Sequence, residues 1–139
     1  MGYNVFTACR TWRFYRLAWE IVTRALFDTW FYEQNEAVQE EVLAHLAILE
    51  EDGPQLGRPQ VDQIKSSKYK NMKELRVQVG GHPFRTFFAF DRTRKAIILC
   101  AGDKKGEDEK LFYERMIKIA DAEFTSHLIS PEVKEDGDA

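Results

Sequence analysis

A chain of 139 residues, 44% hydrophobic and 31% charged, is long enough to bury one core and too apolar for a disordered tail. It holds no run of about 18 apolar residues, which excludes a membrane-spanning helix. Its formal charge of −3 describes a poor nucleic-acid binder, but only while the charge is averaged over the chain.

In chain order, residues 1–19 contain no acid, several aromatics and the arginines Arg10, Arg13 and Arg16. The arginines interrupt the apolar stretch that a secretory signal needs, so residues 1–16 are expected to be an extension outside the core domain. A strand over Leu17–Thr23 and a short helix over Ala25–Tyr32 follow. The clearest helix runs from Asn35 to Glu51, where Val38, Val42, Leu46 and Leu49 recur at helical spacing behind Asn35 as N-cap. Gly53-Pro54 stops it, and two prolines and two glycines in residues 53–59 make a loop.

Residues 72–102 read as three consecutive strands. Leu75, Val77 and Val79 alternate with Glu74, Arg76 and Gln78, and Gly80-Gly81-His82-Pro83 connects to a second strand over Phe84–Phe90. After the turn at Asp91–Arg94, Lys95–Ala101 is apolar enough to be a central strand. A last helix spans Asp108–Leu128, with Phe112, Met116, Ala120, Phe124 and Leu128 on one stripe. The acidic tail is residues 129–139. The expected fold is therefore one α+β domain over residues 17–128. It is a small antiparallel sheet, a three-stranded meander plus an N-terminal strand, packed against two N-terminal helices and a C-terminal one.

The charge divides along the chain. Residues 1–57 carry a balance of −5 and residues 106–139 a balance of −6, whereas residues 58–105 carry 12 basic and 4 acidic side chains, a balance of +8. A basic centre between acidic arms needs a functional explanation. Two cysteines, Cys9 and Cys100, offer no disulfide framework, and a reducing cytoplasm is the simplest setting. His45, His82 and His127 are scattered, so no zinc spacing is present, and no metal or cofactor is expected.

With residues 80–83 as the hairpin loop, Val79 pairs with Phe84 and alternation puts Arg76, Gln78, Arg85 and Phe87 on one face. Leu75, Val77, Val79, Phe84, Thr86, Phe88 and Phe90 take the other. In this register the two arginines stand diagonal to each other, about 7–8 Å apart at the backbone. Two guanidinium arms there can converge on a phosphate. RNA cleavage through the neighbouring 2′-hydroxyl needs such cations to stabilise the phosphorane, plus a proton acceptor and a donor. DNA cleavage usually wants a carboxylate cluster for a divalent metal, and along its strands and turns the basic block supplies only Glu74, Asp91 and Asp103. RNA is the better match. Lys65, Lys68 and Lys70 read as a phosphate-contacting rim, with Lys73 and Lys105 as further contacts.

Five segments in order carry a family resemblance: Leu49–Pro59, Asn71–Arg76, Phe84–Asp91, Gly102–Gly106, and Phe112-Tyr113 with Ile119-Ala120-Asp121. In them the chain resembles the HigB-like, phage-derived branch of the RelE toxin superfamily, over roughly residues 17–128. The resemblance implies a RelE-like fold and a metal-independent endoribonuclease acting on messenger RNA in the ribosomal A site. It also implies a helix-turn-helix (HigA-like) antitoxin as partner. Carried over by position, the catalytic residues are Arg76, Arg85, Lys104 and Tyr113. One departure stands out: Glu74 occupies a strand position where RelE carries a lysine, and the nearest lysine, Lys73, faces the other way. The residues alone leave alternatives open. Arg76 and Arg85 can be neutralised by Glu74 or Asp103, Tyr113 can be a packed tyrosine, Lys104 and Lys105 a solvated loop, and His82 an exposed turn residue. The chain as a whole can be an RNA- or ribosome-binding module, or a scaffold for an antitoxin.

Overall fold

A computed structural model describes residues 19–130. The elements are β1 (Glu20–Thr23), α1 (Ala25–Tyr32), α2 (Glu36–Asp52), β2 (Val61–Gln63), β3 (Met72–Val79), β4 (His82–Phe90), β5 (Lys95–Asp103) and α3 (Glu109–Leu128). Residues 1–18, and with them the expected N-terminal extension, lie outside the described residues, as do residues 131–139 of the tail.

The helix ends follow from their caps. Asn35 accepts a hydrogen bond from the Val38 N–H at 3.0 Å, and Asp108 accepts one from Leu111 at 3.0 Å, so each satisfies a donor the first turn leaves free. Gly53 ends α2 at φ +62° and ψ −145°, a conformation that favours glycine.

The sheet order is β1-β5-β4-β3-β2, with β2 to β5 antiparallel and β1 parallel to β5. The all-antiparallel, four-stranded sheet is thus corrected on two counts. Val61-Asp62-Gln63 is too short to show alternation, yet it adds an edge strand to β3. Strand β1 enters beside β5 and runs with it, the Arg24 N–H donating to the Ile98 carbonyl at 3.0 Å. The α+β class stands.

Alternation sorts the sheet's side chains onto two helical layers. Leu75, Val77, Phe84, Phe88 and Ile98 join Phe27, Val42, Leu46 and Leu49 under α1 and α2. Met72, Phe87, Ala89, Ile97 and Leu99 join Phe112, Met116, Ala120 and Phe124 under α3. A bulge in the pairing of β4 with β5, where Phe87 opposes Cys100 and Phe88 opposes Ile98, keeps both phenylalanines fully buried on opposite faces.

The hairpin is tighter than the sequence suggested. Its turn is Gly80-Gly81 alone, with φ +56° and +79°, the left-handed pair that suits a two-residue connection. Strand β4 therefore begins at His82, which pairs with Val79, while Pro83 pairs with Gln78 near the strand's start, where proline is tolerated. The pairing changes by two residues, so every side chain keeps its predicted face. Arg76 and Arg85 stand directly opposite each other rather than diagonally.

Candidate active site

The Arg76 N–H donates to Gln60 across the β2 side, at 2.8 Å, so Arg76 and Arg85 form a pair without mutual backbone hydrogen bonds. Such pairs place their Cα atoms about 4.5 Å apart. Two like charges so placed repel. Glu74, on the same face of β3 as Arg76, answers that repulsion. Its carboxylate is buried, with 3% exposure. Oε2 accepts from Arg76 Nε at 3.2 Å, and Oε1 lies 3.7 Å from Arg85 Nε. Arg76 also reaches Asp62 on β2 at 3.3 Å, and Arg85 Nη1 donates to the Phe84 carbonyl at 3.0 Å.

The first turns of α3 bring the next member. Tyr113 packs edge-on against Phe87 and Phe112 and donates its phenol proton to Glu74 Oε1 at 2.6 Å. Burial, with the Glu74 carboxylate added, pushes the phenol up to about 12, against the opposing pull of Arg85. Tyr113 is therefore protonated at neutral pH. Lys104 follows β5 and closes the cluster: its Nζ lies 5.5 Å from the Tyr113 ring and 3.1 Å from Glu109 Oε1. Arg76, Arg85, Lys104 and Tyr113 thus share one site, assembled around a carboxylate. The site does not lie on a fully open sheet face, because α3 covers the Phe87 and Ala89 part of it and leaves the arginine end accessible.

The other predicted residues divide. Lys65, Lys68 and Lys70 are exposed in the β2–β3 connection. That connection is tied to α3 through Ser67 and the Lys68 N–H on Asp121, and through Tyr69 on Thr125. A groove of about 490 Å³ along α3, lined by Ser66, Lys110, Tyr113, Lys118 and Asp121, links this rim to the cluster. A second groove of about 430 Å³ lies on the arginine side, between Gln60, Gln78, Arg76 and Arg85. Lys105 is exposed beside Lys104. Lys73 lies on the opposite face from Arg76 and is not brought to the cluster. His82 is not a free turn residue: it opens β4, bonds to Asp103 and stacks on Phe84. That pairing occupies Asp103, so the arginines meet Glu74 and Asp62 instead.

The sequence marks Glu74 as a departure and as one of two acids able to neutralise the arginines, but not as the acceptor for Tyr113. Its signal was present, since a residue two before Arg76 shares its face. Lys110 and Lys118 were masked by the net acidity of the C-terminal segment. Among the described residues, no group of three or more His, Cys, Asp or Glu is placed to hold a metal ion, and no helix is long and apolar enough to cross a membrane.

A buried carboxylate holding two arginines and a tyrosine on a mixed sheet, with lysines at the rim, can grip an anion and manage protons beside it. The fold is RelE-like: a free-state mutant of the Escherichia coli toxin RelE superposes with a TM-score of 0.54 at 9% identity, over 74% of this chain and 99% of that one. The model of the phage-derived Gp49-like protein family matches residues 29–125. Among curated relatives are two Mycobacterium tuberculosis proteins that carry toxin names. HigB2 is 44% identical over 73% of this chain but only 50% of its own length. HigB3 is 42% identical over 74% of this chain and 88% of its own length. The chain belongs to the Gp49-like family and is HigB-like, with a RelE-like fold.

Proposed function

We propose that this chain is the toxin of a type II toxin–antitoxin pair and an endoribonuclease that cleaves messenger RNA at the ribosomal A site. The observation that carries this reading is the convergence of Arg76, Arg85 and Tyr113, from β3, β4 and α3, around Glu74, with Lys104 from the end of β5 beside Tyr113. The 2′-hydroxyl of the RNA is the nucleophile, so the reaction needs no metal-bound water. The arginines bind the phosphate and stabilise the charge of the phosphorane. The lysines of the rim grip flanking phosphates without choosing sequence. The HigB names of its relatives support a HigA-like helix-turn-helix antitoxin as partner, and both act in the cytoplasm.

A second reading is a ribosome-binding module that does not cleave. It is favoured by one feature: Arg76 and Lys104 already have carboxylate partners, Asp62 and Glu109, which an RNA phosphate must displace. Expression of the chain alone separates the readings. The nuclease arrests growth, and primer extension on an induced messenger maps new 5′ ends within codons. The variants Arg76→Ala and Arg85→Ala, soluble and folded, relieve both. Arrest without new ends leaves the binding module, and arrest by both folded variants removes the assigned site.

A further inference from the structure

Glu74 has no direct route to RNA. It is 3% exposed, and its oxygens are turned to Tyr113, Arg76 and Arg85. The hydrogen bond from Tyr113 has a direction, however. The phenol gives its proton inward to Glu74 and is also engaged by the Arg85 guanidinium, so one oxygen lone pair remains to accept a hydrogen bond from the groove along α3 that Tyr113 lines. A hydroxyl that must shed a proton is the group such an acceptor takes. A phenol held at about 12 is a poor base for that task alone, since little of it ionises at neutral pH. It need not ionise if it passes its own proton to Glu74 as it receives another.

We propose that, in the cleavage reaction on which this inference rests, Glu74 is the final acceptor of the 2′-hydroxyl proton, reached through Tyr113. The 2′ O–H bond breaks and its proton moves to the Tyr113 oxygen, while the phenolic proton moves to Glu74 Oε1. The freed electron pair forms the 2′-O–P bond. The P–O5′ bond breaks, and the leaving oxygen takes a proton from the Lys104 ammonium. The products are a 2′,3′-cyclic phosphate and a 5′-hydroxyl. Glu74 ends neutral and so does Lys104, and solvent returns the proton from one to the other. The other carboxylate oxygen, Oε2, accepts from Arg76 at 3.2 Å, and Arg76 is held as well by Asp62. Glu74 is a positioning residue that acts on the substrate through Tyr113, and Gln at this position keeps an oxygen for Arg76.

The test is single-turnover cleavage of messenger on programmed ribosomes by the full chain, Glu74→Gln, Tyr113→Phe and the double variant. Each single variant is expected to lower the rate constant on the order of 100-fold with half-saturation unchanged. Because both act on one path, the double variant is expected to be no slower than the slower single one. In mixtures of light and heavy water the parent's rate curves, as two protons in flight require, and Tyr113→Phe loses that curvature. Multiplying defects in the double variant, a Glu74→Gln defect confined to half-saturation, or a Tyr113→Phe variant with the parent's rate each overturns the relay. A parent that does not cleave overturns the nuclease reading itself, which separates the two failures.

Discussion

Replacing Arg76 or Arg85 with methionine separates the site's chemistry from its stability. Methionine keeps most of the aliphatic stem and removes only the guanidinium. The Arg76 side chain is 37% exposed, so its ion pairs with Glu74 and Asp62 are screened and contribute about 0–1 kcal/mol. The Arg85 side chain is only 11% exposed, and its hydrogen bond to the Phe84 carbonyl is a charged one. Its loss costs about 1.5–3 kcal/mol. In neither variant is Glu74 orphaned, because Tyr113 and the remaining arginine stay beside it. At a few degrees per kcal/mol, both variants should melt cooperatively within roughly 10 °C of the parent. Cleavage should fall far more, because a preorganised donor at developing charge is worth about 2.7–4 kcal/mol, or 100- to 1,000-fold. Thermal melting and primer extension on the same preparations measure both. If cleavage stays within a factor of about ten while the protein is folded, the arginines do not serve the reaction. If activity drops only as the melting transition collapses, their role is structural.

Removing the rim, as Lys65→Ala, Lys68→Ala and Lys70→Ala together, should weaken RNA binding at all sequences alike. With about 0.7 released counterions per single-strand phosphate contact, the log–log salt slope should shrink by about 2 in a filter-binding series. Asp91 provides a pH test. Burial alone would raise its carboxyl, but hydrogen bonds from His127, Thr93 and Lys95 outweigh that and lower it from 3.8 to about 2. Its stabilisation, on the order of 2 kcal/mol, is full above the unfolded value and is lost as pH falls from about 4 toward 2. Melting of the parent across that window should show a slope that Asp91→Asn lacks. A Cβ at Gly53 would stand 2.4 Å from the Trp19 ring at φ +62°. Gly53→Ala should therefore lower stability by about 1–3 kcal/mol and shift tryptophan fluorescence. Unchanged melting would show that this end of α2 relaxes freely.

The helices were readable because each one carries its signal locally. Asn35, Gly53 and Asp108 mark ends within a turn of the groups they satisfy, and the apolar spacing of Val38 to Leu49 needs no partner to be seen. The strands of the meander were equally visible, but their register was not, since Gly80-Gly81-His82-Pro83 holds turn formers in excess of what the turn uses. Strand β2 escaped because three residues carry no period. Glu74 was legible as a partner for the arginines, but its bond to Tyr113 was not, because that residue lies 39 positions away.

Alternation fixes the face of each side chain by parity alone. Arg76 and Arg85 were therefore placed together correctly even with a loop misjudged by two residues, and the basic block stood out against the acidic arms in a count. Tertiary structure decided the rest. The docking of α3 across Phe87 and the edge position of β1 depend on which apolar surfaces bury one another across long stretches of chain. That packing delivered Tyr113 and Lys104 to the arginines. It also turned an apparent departure from the family pattern, Glu74, into the carboxylate at the centre of the site, because a buried charge must find partners and here they come from β3, β4 and α3.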